Sequence, residues 1–310
     1  MKALRDVWGQ TLVDLGHSNP NVIVIDGDMA NSTKADLFAN AHPERFIQGG
    51  IAEQNMVGMA AGMACDGYIP WLSTFTVFLT HRAIDPIRML VAQTGGNVKI
   101  AGAYSGLLTG ATGRTHQDIQ DLAIMRAMPS MTVLAPGDQH EAAAMVRWAT
   151  EYVGPVYLRL ARDAAPDLFD ESYDFVPGKV HTLRDGGEVV LISTGTQSTR
   201  VLAAAELLAA QGIQASVVHI GSIKPIDAAG LLATVAGARL IVTVEEHNVL
   251  GGLGGLVSEI VASAGGLAPV EKIGVADVWG ESAPNDYLLD KYGLSAEKVA
   301  ERVARRLQEL

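Results

Sequence analysis

The sequence holds a single cysteine, Cys65, among 310 residues. That excludes an internal disulfide framework and any cysteine-cluster metal site, and it fits a reducing compartment. No apolar run approaches the roughly 18 residues that a membrane-spanning helix requires, and the opening MKALRDVWGQ has no signal-peptide core. The expectation is a soluble, cytoplasmic chain with no membrane partner. Basic residues are in the minority, 23 against 34 acidic ones, for a net charge of −11. Nucleic acid and anionic membrane surfaces both reward basic patches, so neither is expected as a partner. An anionic substrate would have to be caught by a few local arginines. Aromatic residues are scarce at 5 %, so any place where they cluster is informative. Small and apolar residues are plentiful, with 48 % hydrophobic and 33 glycines. The length suits two domains with real cores.

Segments rich in Val and Ile alternate with segments rich in Ala, Leu and Met. NVIVIDGD, GYIPWLSTF, NVKIAGAYS, MTVLAPGD and GPVYLRLARD read as short buried strands bounded by Gly, Pro or Asp. Helices are expected between them, over about 3–15, 51–65, 76–93, 117–127 and 139–151. The alternation points to an α/β fold, a mostly parallel sheet covered by helices. From Asp163 to Gly187 the periodicity lapses into a prolyl, charged stretch that reads as a partly packed linker. A second α/β series follows in EVVLISTGT, QASVVHI, ARLIVTVEEH and VEKIGV, and closes in a helix over about 295–309. The expected organisation is an α/β domain over 1–165, a linker over 166–186 and a second α/β domain over 187–310, each a mostly parallel sheet covered by helices.

Three constellations could carry chemistry. In FIQGGIAEQNMVGMAAGMACDG, Glu53 opens a helix so rich in Gly, Ala and Met that another backbone or a flat ligand could approach closely. A carboxylate among small apolar groups has its charged form disfavoured, which suits it to share a proton with a ring nitrogen. The competing reading is a first-turn acid favoured by the helix dipole. In STFTVFLTHRAID, Phe75, Phe78 and His81 are spaced to share one side of a helix. Such a stripe is either core or a platform for a planar heterocycle. In SGLLTGATGRTHQDIQDLA, Gly106, Gly110 and Gly113 make a flexible loop, and Thr115 with Asp118 could box the start of a helix. His116 would then stand in the first turn, where the dipole disfavours its charged form and leaves it suited to proton relay. GGLGGL at 251–256 opens a further helix, either to bind an anion or to permit tight packing. No metal-ligand or activated-serine signature is present, so no metal site is assigned to this chain.

In this order and at these spacings, the constellations resemble the thiamine-diphosphate enzymes of the transketolase family, over essentially the whole chain. The similarity is to the second half of a full-length transketolase, its pyrimidine-binding domain followed by its carboxy-terminal domain. RFIQGGIAEQNMVGMAAG is also similar to its counterpart in 1-deoxyxylulose-5-phosphate synthase, and GRTHQDIQDLAIMRAMPSMTVLAPGD and GPVYLRLAR match further family blocks. The resemblance implies that Glu53 hydrogen-bonds the N1′ nitrogen of the aminopyrimidine, favouring the imino tautomer that activates the thiazolium carbon. It implies that Phe75 and Phe78 stack beside that ring and that Asp28 lies near the cofactor. It implies that Ser32, Arg162 and Arg5 hold a sugar phosphate, and that His116 contacts substrate hydroxyls and assists proton transfer.

The sequence departs from the family where His81 stands for a tyrosine beside the pyrimidine, Tyr104 for a histidine and Thr112 for an aspartate that tests substrate hydroxyls. It also lacks the GDG and Asn motif through which the family binds Mg²⁺ and the cofactor diphosphate. The resemblance therefore implies the carboxy-terminal subunit of a split transketolase, active with an amino-terminal subunit that carries Mg²⁺ and the diphosphate site. It implies a two-plus-two heterotetramer that moves a two-carbon ketol unit from a ketose, a sugar phosphate, to an aldose. Alternatives are a subunit of a deoxyxylulose-phosphate-type synthase or 2-oxoacid dehydrogenase, or a non-catalytic regulatory partner.

Overall fold

The computed structural model describes residues 1–310. Its strands run, in chain order, β1 Val22–Asp26, β2 Phe46–Gln48, β3 Ile69–Phe75, β4 Lys99–Ala103, β5 Thr132–Leu134, β6 Val156–Leu160, β7 His181–Arg184, β8 Val189–Ser193, β9 Ala215–His219, β10 Ser222–Lys224, β11 Leu240–Asn248 and β12 Val270–Val275. They build two sheets, ordered β10-β5-β6-β4-β3-β1-β2 and β12-β11-β8-β9-β7. Every neighbour is parallel except β10 on β5 and β7 on β9. Helices on both faces bury the central strands, which is why VIVID and VYLRL are buried at every residue. The α/β reading with mostly parallel sheets holds for both halves.

The two sheets are interlocked. β10 follows β9 in sequence yet pairs with β5, so a strand from the second half edges the first sheet. One apolar cluster contains Ile23, Ile25 and Leu72 together with Val190, Ile192 and Ile241. A second core is anchored by Trp8 and Trp71, edge to face at 6.3 Å and fully buried. The stretch read as linker contains β7, an edge strand whose residues are only partly buried. Its short, half-exposed pattern explains why no periodicity marks it.

Two helix expectations need correction. The span 76–93 is not one helix: the helix Thr76–Arg82 ends at Ala83, and a short turn at Ile84–Pro86 leads into a widened turn over Ile87–Ala92. Pro86, which has no amide hydrogen to donate, sits at that break. The helix expected from 117 begins at Asp121.

Register decides where the site lies. Asp26 pairs with Ser73, Phe75 with Ala103 and Ala103 with Leu160, so β1, β3, β4 and β6 end at one edge of the sheet. From β1 the chain steps outward to β2 and then returns to pair β3 on the other flank of β1. A reversal of strand order of this kind opens a crevice at the carboxyl ends of the strands.

Candidate active site

Each of those four strands delivers candidate residues into the crevice. After β1, the buried Asp26 carboxylate accepts from the Met29 amide at 2.6 Å and the Thr33 hydroxyl at 2.7 Å, which shapes the turn bearing Asp28 and Ser32. Burial pushes the Asp26 carboxyl up to about 6, against the pull of those two donors. Asp28 has a left-handed backbone, φ 65°, and its amide donates to Gln48 at 2.8 Å. Its side chain is exposed.

After β3 comes the aromatic stripe. Phe75 and Phe78 lie nearly parallel with centroids 6.0 Å apart, and Phe75 stacks on Tyr104, from the end of β4, at 4.1 Å. These rings form a small cluster of their own, Phe75, Ala103 and Tyr104 with Phe78 against them, separate from the large cores. The stripe therefore packs outside the large cores. His116 stands edge-on to both phenylalanines, at 5.9 and 5.5 Å.

Tyr104 carries the polar end. Arg5 donates through Nη1 to the Ser32 carbonyl at 2.8 Å and to the Tyr104 hydroxyl, and both Arg5 and Arg162, after β6, lie over the Tyr104 ring at 5.1 and 5.5 Å. The Nε atoms of both arginines are buried with no hydrogen-bond partner. Each guanidinium thus keeps one donor without a partner beside the same ring.

Glu53 opens the helix Glu53–Cys65 and is almost fully buried. Its surroundings are not wholly apolar, as the sequence suggested. Arg82 Nη1 donates to its Oε1 at 3.0 Å, and the same guanidinium lies 4.0 Å from the centre of the Phe78 ring. Arg82 thus joins the carboxylate to the aromatic row. Sequence reasoning missed it, although Phe78 and Arg82 are one helical turn apart. A cavity of about 550 Å³ opens over Glu53, lined also by Ile51, Gln54, Asn55, His81 and Arg82.

His81 approaches Asp118 at 3.7 Å. The nearby Asp118 carboxylate raises the imidazole above its ordinary value, against the burial that would lower it. Burial works to raise Asp118, but His81, the Thr80 hydroxyl and the Gln120 amide together hold it below the ordinary aspartate range. Asp118 is therefore committed to this cluster, and the capping box with Thr115 is not formed. His116 stands in a turn, its amide bonded to the Gly113 carbonyl at 3.0 Å, five residues before the helix Asp121–Ala127. The dipole of that helix therefore does not reach it. Its Nδ1 instead meets the Thr115 hydroxyl at 2.9 Å. Thr112 is exposed, with its hydroxyl turned back to the Thr109 carbonyl. Neither the Thr112 nor the Asp28 side chain hydrogen-bonds to the aromatic row.

The glycine run at 251–256 is resolved by Glu245, whose carboxylate accepts from the Leu253 and Gly254 amides at 2.7 and 2.8 Å. That helix start is already occupied by an internal carboxyl group, which burial pushes above its ordinary value.

A cofactor with a flat nitrogen ring fits this geometry: an acid at a cavity floor, with stacked rings nearby. No three His, Cys, Asp or Glu side chains converge into one group. No helix is long and apolar enough to cross a membrane.

Residues 1–167 match the family of the transketolase pyrimidine-binding domain, and residues 178–299 that of the transketolase C-terminal domain. A protein of Methanocaldococcus jannaschii named as a transketolase C-terminal section is 41 % identical over 309 residues, covering 99 % of this chain and 97 % of that one. A 6-deoxy-6-sulfo-D-fructose transketolase subunit of a Clostridium species is 36 % identical, over 99 % of this chain and 94 % of its own. The solved structure of a split gene transketolase, an inactive beta4 tetramer, superposes with a TM-score of 0.91 at 43 % identity over 99 % of both chains.

Proposed function

This chain belongs to the transketolase family, with its pyrimidine-binding and C-terminal domains, and from that premise we propose that it is the carboxy-terminal subunit of a split transketolase. It would transfer a two-carbon ketol unit from an anionic ketose to an aldose, together with an amino-terminal subunit. The observation that carries the reading is the placement of Glu53 in the lining of a cavity beside a row of Phe78, Phe75 and Tyr104 that ends at the guanidinium groups of Arg5 and Arg162.

Thiamine diphosphate, when bound, supplies the carbon nucleophile that opens the ketose carbonyl. Glu53 would hold a proton at the N1′ position of its pyrimidine. Arg82, already on Oε1, keeps the carboxyl oriented and leaves Oε2 for that contact. Phe75, Phe78 and His81 would flank the ring, with Asp28 at the mouth of the crevice. Arg5, Arg162 and Ser32 would bind the anionic end of the sugar, with Tyr104 between the two guanidinium groups. His116 would meet the substrate hydroxyls and move their protons, with Thr112 farther out. A relative named for a sulfonated ketose fits a clamp that reads charge more than phosphorus.

Mg²⁺ and the diphosphate fall to the partner in this reading, in a two-plus-two heterotetramer. The face of the helix Glu53–Cys65 supports such a partner. Gly58 and Gly62 meet nothing where a Cβ would stand, and they line an open cavity with Ala61, Cys65 and Leu90. The test is reconstitution. Alone, with thiamine diphosphate and Mg²⁺, the chain is expected to show no ketol transfer, and addition of the amino-terminal subunit should restore it. Full activity of the chain alone, or pyruvate decarboxylation without ketose cleavage by the pair, would overturn the proposal.

A further inference from the structure

The loop from Ser105 to Gln117, which bears His116, is held along its length by the second α/β unit. The Leu107 and Leu108 amides both donate to Glu246 Oε1, at 2.7 and 3.0 Å. Gly106, with φ 80°, packs so near this carboxylate that a Cβ would stand 2.3 Å from Oε1. The Leu108 carbonyl accepts from Asn285 Nδ2 at 3.0 Å, the Ala111 carbonyl accepts from the Ser282 hydroxyl at 2.6 Å, and Gln117 Nε2 donates to the Glu281 carbonyl at 2.9 Å. The side chains of Leu107 and Leu108 are buried in a core with Val242, Val244 and Leu288. Glu246 is itself fixed, since its carbonyl accepts from Arg159, which is also paired with the buried Asp121 at 2.8 Å.

His116 has no comparable anchor of its own. Its ring nitrogen meets only the neighbouring Thr115 hydroxyl, and its edge-on contact with Phe75 and Phe78 follows from where the loop sits. Ser282 fixes the loop on one side of it, and Gln117 on Glu281 fixes it on the other.

We propose that the second unit is the template for this loop, with Glu246, Ser282 and Asn285 as positioning residues that set His116 for the transfer step. This gives the carboxy-terminal domain a role in catalysis without placing any of its side chains on the substrate. The proposal rests on the reading of His116 as the group that meets the substrate hydroxyls.

The experiment uses the assembled enzyme, this chain with its amino-terminal partner, thiamine diphosphate and Mg²⁺. Ser282→Ala and Asn285→Ala lie on exposed or half-buried side chains, so the fold should tolerate them. Together they are expected to lower kcat/KM by on the order of tenfold to a hundredfold, the cost of a misplaced reacting group. In a His116→Ala background the same pair should change it by less than about twofold, because the loss is already taken. Hydrogen exchange should quicken at Leu107 and Leu108 and stay unchanged at Val242 and Val244. Glu246→Gln, which keeps an acceptor oxygen, should retain more activity than Glu246→Ala. Additive losses in the His116→Ala background, or full activity despite faster loop exchange, would overturn the proposal alone. Full activity of His116→Ala would overturn it together with the reading on which it rests.

Discussion

Asp26 is fully buried at the end of β1, and the turn that follows depends on it. Its carboxyl is pushed up to about 6 from an ordinary value of 3.8 by burial. At about 1.4 kcal/mol per pKa unit, this gap corresponds to about 3 kcal/mol of linkage. The sign follows from proton uptake. Between the two values the native state holds a proton that the unfolded chain has released, so Asp26 costs stability progressively as pH rises through that window. Below both values the carboxyl is neutral in both states and the cost vanishes. Asp26→Asn is neutral at every pH. It keeps an acceptor for the Met29 amide, and the Thr33 hydroxyl can reverse to accept from its amide group. The variant should therefore gain on the native protein by about 2 kcal/mol between about pH 4.5 and 7.5, and be close to its equal near pH 3.5. Urea denaturation followed by the fluorescence of the buried Trp8 and Trp71 reads this difference across pH. A difference that stays constant with pH, or a variant that loses ground as pH rises, would refute the reasoning.

Two further outcomes follow from the site's geometry. Arg162→Ala removes a guanidinium with a free buried donor, and it should raise KM for an anionic ketose about tenfold or more while hardly touching a neutral analogue. Equal effects on both substrates would remove Arg162 from the clamp. Asp118→Asn deletes the partner that raises His81, so NMR should find the His81 titration midpoint lower in the variant. An unmoved midpoint would show that Asp118 does not set it.

The strands were legible wherever a continuous apolar run is bounded by Gly, Pro or Asp, because burial on both faces leaves no room for polar alternation. Phe46–Gln48, His181–Arg184 and Ser222–Lys224 were not, since edge strands of three or four residues, two of them partly exposed, are too short to carry such a pattern. The site residues were legible where their chemistry is unusual for their context, as with Glu53 among small residues or two phenylalanines in a chain poor in aromatics. The misread pieces share a cause. Thr115 and Asp118 have the spacing of a capping box, but Asp118 is engaged by Thr80 and His81 from a helix distant in sequence. Glu53 looked isolated because its partner Arg82 lies 29 residues away. Glu246 lay hidden inside a long buried strand whose pattern reports only burial. Local spacing states what a residue could do; the tertiary partner decides which of those things it does.

In the proposed function Glu53 serves the pyrimidine of thiamine diphosphate at the interface with a partner subunit. Its most direct test is the exchange of the cofactor's thiazolium C2 proton for deuterium, followed by ¹H NMR in the reconstituted pair. Fast exchange is expected in the native enzyme. In Glu53→Gln the expected loss is at least about a hundredfold, of the size that general acid–base catalysis supplies, with the cofactor still bound and the thermal unfolding midpoint essentially unchanged. Exchange in Glu53→Gln at the native rate would contradict it.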